Sequence, residues 1–245
     1  MAEKAFNYMH ILTLHFIFWS KTFALNWKNR LLFASALSIC PSTAFSGDVS
    51  FDYFNFVPAQ ERFRQLIFQM PDVIHAANLM IESSKILGIP LVVTEQYPKA
   101  LGHTVQELDI TEAWKEEKLH FSMFTPKLQD FMKTIKRNQV CLFGIETHVC
   151  IQQTALDLLE NNFDVHLLVD GTSSQSIFEF LLALTLLCRP LDRSVAIRRL
   201  ESSGALLTTS ETVLFELLGH SKHTHFKEIS KLLRIPRENP TLSSL

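Results

Sequence analysis

Residues 139–159 read QVCLFGIETHVCIQQTALDLL. The first seven form a short apolar run of the kind that makes a strand buried on both faces. Over 148–160 apolar residues return at helical spacing, which predicts a helix with Val149, Leu156 and Leu159 turned inward. A strand that turns at once into a helix is the building unit of a parallel α/β sheet. Cys150 stands in the first turn of that helix. There the unpaired N–H groups and the helix dipole can lower a thiol's pKa and hold an oxyanion. The position admits two readings, an activated nucleophile or a buried structural thiol. Cys141, mid-strand between Val140 and Leu142, fits the second.

Similar units flank this one. Residues 50–57, 89–94, 164–169 and 205–209 read as strands. Residues 72–87 read as a helix closed by Gly88, residues 125–137 as a helix opened by Thr125 with Pro126 in its first turn, and residues 212–218 as a third helix. The alternation predicts a parallel sheet covered by helices on both faces, with any site at the carboxyl ends of its strands. We place this domain at 50–236, with a short tail at 237–245. Residues 1–49 differ from it, being rich in Phe and Leu, basic, and without glycine before Gly47. They read first as a poorly ordered or non-native extension, then as a mitochondrial-type presequence, and last as a membrane anchor. Residues 177–191, IFEFLLALTLLCRPL, are mostly apolar and lack a polar face. They read either as a buried helix or as an insertion into a helix that would otherwise run from 174 to 203.

Composition narrows the function. A net charge of −2 gives no support to a nucleic-acid partner. The four cysteines form no CxxC pair, which argues against a zinc ribbon or a disulfide framework and for a reducing compartment. The cytoplasm is expected, with mitochondria as the alternative through residues 1–50. No apolar run reaches the roughly 18 residues of a membrane span. No metal or cofactor is expected. His220, His223 and His225 have loose metal-like spacing but no acid or cysteine beside them, so a solvated loop is the better reading. A nucleophilic thiol also needs a base and a cation. Lys118 can supply the cation. His148 is two residues from Cys150, a spacing that points the two side chains apart on a helix.

Six motifs carry a resemblance: TEQYPKALGHTVQEL (94–108), KLHFSMF (118–124), LFGIETHVCIQQTALDLL (142–159), VHLLVDGTSSQS (165–176), SGALLTTSE (203–211) and HFKEI (225–229). Their order and content resemble the isochorismatase-like hydrolases, and most closely the animal isochorismatase domain-containing proteins, over about 60–235. The resemblance implies a three-layer α/β/α domain on a mostly parallel six-stranded sheet, and a homo-oligomer. It implies an Asp–Lys–Cys triad in which Lys118 matches the lysine and Cys150 the nucleophile. It also implies a cis bond before Glu146, so that the N–H groups of Glu146 and Cys150 receive a substrate oxygen. Gln96, Tyr97 and Phe121 would help to form the pocket of a small-molecule amide or N-carbamoyl substrate. Asp170, at a strand end, faces the same rim or simply caps the turn 171–174. The family aspartate falls on Pro58, which carries no proton and removes a backbone N–H. Its loss implies an impaired hydrolase, or a binding or scaffold protein that keeps the fold. The foreign start, Pro58 and the insertion at 177–191 together point to a variant transcript or an imperfect gene model.

Overall fold

The structure is a computed structural model that describes residues 53–135, 138–175 and 189–236, all within one unit, Val49–Leu245. The expectations for residues 1–49, for most of 177–191 and for 237–245 lie outside the described residues.

Six strands form one sheet in the order β3-β2-β1-β4-β5-β6, and every pairing is parallel. They are β1 (Tyr53–Val57), β2 (Leu91–Gln96), β3 (Trp114–Lys118), β4 (Gln139–Ile145), β5 (Asp164–Ser173) and β6 (Leu206–Thr208). β1 and β4 lie side by side at the centre, with Phe54 opposite Cys141 and Val57 opposite Gly144. Both are buried along almost their whole length, as apolar runs in a doubly covered sheet must be. One face is covered by α1 (Met70–Leu87), α6 (Ser210–Leu218) and α7 (Phe226–Leu232). The other carries α3 (Pro126–Ile135), α4 (Gln152–Glu160) and α5 (Arg189–Ser202), and the short α2 (Pro98–Leu101) follows β2. Phe56 and Phe143 stack at 5.1 Å toward α1, while Tyr53 points the other way and donates to the Met132 carbonyl of α3 at 2.8 Å.

Several expected elements shift. β3 was not foreseen, because WKEEK reads as a solvated charge run. It is an edge strand, where Lys115 and Glu117 face water and the other three side chains face inward, and charges on an edge discourage stray pairing. β5 runs four residues beyond the expected 169, past a register shift against Leu142 and Gly144. The helix expected over 148–160 begins as a wide π-turn, Thr147–Ile151, before α4. Its inward side chains are Thr154, Ala155 and Leu158, whereas Val149, Leu156 and Leu159 are only half-buried, because the extra residue in the π-turn rotates the face.

Gly144 sets how closely the two central strands approach. Its φ is +128°, and a Cβ there would lie 1.9 Å from the Val57 carbonyl oxygen. Only glycine fits between β4 and the end of β1.

Candidate active site

In a sheet of this order the chain runs outward from β1 in one direction and from β4 in the other. The crevice between their carboxyl ends is where such folds bind ligands. A cleft of about 660 Å³ opens there. The ends of β1, β2, β4 and β5 all reach it, through Val57 and Pro58, Gln96 and Tyr97, Ile145 and Glu146, and Gln175. Cys150, Phe121 and Asp192 line it as well.

Cys150 reaches the cleft through the turn that follows β4. Glu146 adopts a left-handed conformation, φ 60° and ψ 63°, and swings the chain sharply into the π-turn. In an ordinary α-turn the Glu146 carbonyl would accept the N–H of Cys150. Here it accepts those of Val149 at 3.0 Å and Ile151 at 3.3 Å. The peptide bond before Glu146 is trans, as are all those among the described residues, so left-handed Glu146 makes the turn that the resemblance assigned to a cis bond.

Lys118 ends β3 behind the cleft wall and is 4% exposed. Its ammonium donates to Gln96 Oε1 at 2.7 Å and to the carbonyls of His120 and Phe121, both at 2.9 Å. Three acceptors use all three N–H bonds. Burial holds its pKa below the usual lysine range, while the field of Cys150 works the other way. Burial pushes the Cys150 thiol above its ordinary value. Lys118 pulls it back down, and Glu146 adds to the rise. The direction is upward, opposite to the lowering expected from the helix terminus alone. Cys141 is fully buried in mid-sheet, and its pKa is raised further still.

Gln96 points away from the open cleft, holding Lys118 through Oε1 and the Leu119 carbonyl through Nε2 at 2.8 Å. Gln60 supports it by accepting from the Gln96 N–H and donating to the Gln96 carbonyl, each at 3.0 Å. Tyr97 and Phe121 line the cleft half-exposed. Pro58 is buried in its wall, where a carboxylate was sought. Asp170 is buried and is not among the residues that line the cleft; it holds the start of α6, accepting from the Ser210 N–H at 2.9 Å and hydroxyl at 2.6 Å. The three histidines at 220–225 hold no metal arrangement among the described residues, and His225 pairs instead with Glu228 at 3.0 Å.

Two lining residues escaped the sequence. His148 was set aside as a partner for Cys150. It lines the cleft with Nδ1 3.1 Å from Ser174 Oγ and 3.5 Å from Glu146 Oε2. Asp192 follows the apolar stretch and carries no local signal, yet it lies on the same cleft.

A six-stranded parallel sheet with helices on both faces and a cleft at its switch point defines an isochorismatase-like α/β domain. The chain belongs to the isochorismatase family: the model of the isochorismatase domain matches residues 48–212. Isochorismatase domain-containing protein 1 of Danio rerio is 44% identical over 178 residues, 72% of this chain and 58% of that protein. Isochorismatase domain-containing protein 2 of Xenopus laevis is 41% identical over 187 residues, 76% of this chain and 85% of its own. The match thus spans under two thirds of the first relative's length. Among solved structures, one titled as the MAR1 ribonuclease of Caenorhabditis elegans superposes with a TM-score of 0.70 at 37% identity, covering 81% of this chain and 98% of its own.

Proposed function

We propose that the chain is a thiol-dependent hydrolase of C–N bonds, of amide or N-carbamoyl type, in a small molecule, and that Pro58 impairs it. Cys150 attacks the carbonyl carbon, the C–N bond breaks as the amine leaves with the thiol's proton, and water then cleaves the thioester to release the acid and return the thiol. The N–H groups of Glu146 and Cys150 receive the developing oxyanion, and Lys118 stabilises negative charge beside the sulfur. The observation that carries this reading is Cys150 on the wall of the switch-point cleft, within the electrostatic reach of buried Lys118. The thiol must lose its proton to attack, and no carboxylate stands at position 58 to take it. General-base loss typically costs about 10²–10⁴ in rate.

A second reading has its own support. Pro58 together with a thiol pushed above its ordinary pKa suits a protein that binds in the cleft without turnover. The ribonuclease name belongs to the relative, and a phosphodiester substrate does not suit a cleft whose described charged lining is carboxylate. A homo-oligomer belongs to the same proposal by family resemblance, and a reducing compartment by the absence of a paired cysteine pattern.

The deciding experiment is a screen of amides and ureides for ammonia release, with mass spectrometry of the intact protein for an acyl adduct. Turnover that disappears in Cys150→Ala supports the hydrolase. Ligand binding without adduct or ammonia would replace it with the binding protein.

A further inference from the structure

The charges around the cleft point to the kind of ligand it takes, given that this cleft is the substrate site. Among the described residues, two charged side chains line it, and both are carboxylates: Glu146 and Asp192. Two cations beside the cleft, Lys118 and Arg193, are turned away from it. Lys118 is buried with its three N–H bonds on Gln96 and two carbonyls. Arg193 follows Asp192 but turns inward, donating to the carbonyls of Val169 at 2.6 Å and Thr172 at 3.1 Å. An anion entering the cleft therefore meets two carboxylates, and the one imidazole of the described lining, His148, already lies 3.5 Å from Glu146 Oε2 and 3.1 Å from Ser174 Oγ.

The rest of the lining favours a cation with an apolar body. Phe63, Leu101 and Leu119 line the cleft and give a small ring or branched chain apolar surface to pack against. Tyr97 and Phe121, the half-exposed aromatics of the same cleft, offer π-faces of the sort that attract ammonium groups. Asp192 is exposed and adds a full negative charge. We infer that the cleft selects a small amine-bearing amide, with its cationic group read by Asp192 and the exposed aromatic rings, and that it rejects carboxylate-bearing analogues.

The test compares three isosteres on the full chain: 4-(aminomethyl)benzamide, 4-methylbenzamide and 4-carboxybenzamide. Calorimetry near neutral pH reads their affinities, and protection of Cys150 from iodoacetamide locates the binding. The cation is expected to bind about fivefold or more tightly than the neutral amide, and the anion about tenfold or more weakly. Asp192→Asn should bring the cation down toward the neutral ligand. High salt should shrink the same gap, because Asp192 is exposed and its field is screened. Equal affinities, a tighter anion, an unchanged ratio in Asp192→Asn, or no binding by the cation would each overturn the inference. The readout is binding, so it stands apart from turnover. Cation binding without hydrolysis would sink the hydrolase and leave the charge selection intact. Hydrolysis of the three amides at equal efficiency would do the reverse.

Discussion

Cys150 is subject to opposed influences, and their balance can be measured. Burial raises its pKa most, Lys118 lowers it and Glu146 raises it again. The sum is upward, so the rate of iodoacetamide labelling at Cys150 should have a midpoint above the ordinary thiol value of about 8.5. The signs of two variants follow. Lys118→Met removes the lowering influence and should move the midpoint higher. Glu146→Gln removes a raising one and should move it lower. A wild-type midpoint below the ordinary value would mean that the helix terminus outweighs burial. Position 58 makes a separate prediction. Pro58→Asp puts the acid that the resemblance implies on the wall of the cleft that Cys150 also lines. If the missing base limits the reaction, kcat/KM on an active amide should rise at least about tenfold, the lower side of what a positioned base contributes. An unchanged rate with intact folding would place the defect elsewhere.

At the scale of elements, β4 was the most legible part of the chain. Residues 139–145 were expected as a strand and are one, because the run from Val140 to Ile145 holds no charged or polar side chain and carries β-branched and aromatic residues. The π-turn was not legible. An i→i−5 bond replaces an i→i−4 bond within a single turn, and residue types hardly distinguish the two. That one-residue change altered which side chains of α4 face inward and left the Cys150 N–H without its usual acceptor. The strand β3 was hidden because edge strands are charged by design, so its composition argues for solvent. Lys118 was legible as a cation, but its three acceptors were not, since two are carbonyls of the loop that follows it. Gly144 yields the prediction at this scale. Alanine there combines a positive φ with an overlap against the Val57 carbonyl, and both partners are backbone that cannot step aside. Over-packing and left-handed strain together should cost at least about 3 kcal/mol. For a domain of this size that lowers Tm by about 6–12 °C. A change of a degree or two would show that β1 and β4 can separate at their carboxyl ends without loss.

For the molecule as a whole, the cleft exists only where strands distant in sequence end side by side. Pro58, Gln96, Glu146 and Gln175 come from four strands and meet at one rim. The sheet and its site should therefore be lost together, and the two described free cysteines can report this separately. Cys141 is fully buried in β4, with Phe54 of β1 on one side and His166 of β5 on the other. No reagent reaches it without parting the central strands. Cys150 is 7% exposed and opens onto the cleft, so alkylation needs at most a local motion. In a urea series read by peptide mass spectrometry, Cys150 should label in the absence of urea. Cys141 should stay protected until the far-UV circular dichroism is lost, and the two midpoints should coincide, as they do when a domain unfolds in one step. Labelling of Cys141 at clearly lower urea would mean that β1 opens from β4 before the rest of the sheet. The cleft would then be the least stable part of the fold, and the junction at Pro58 would be the place to look for the cause.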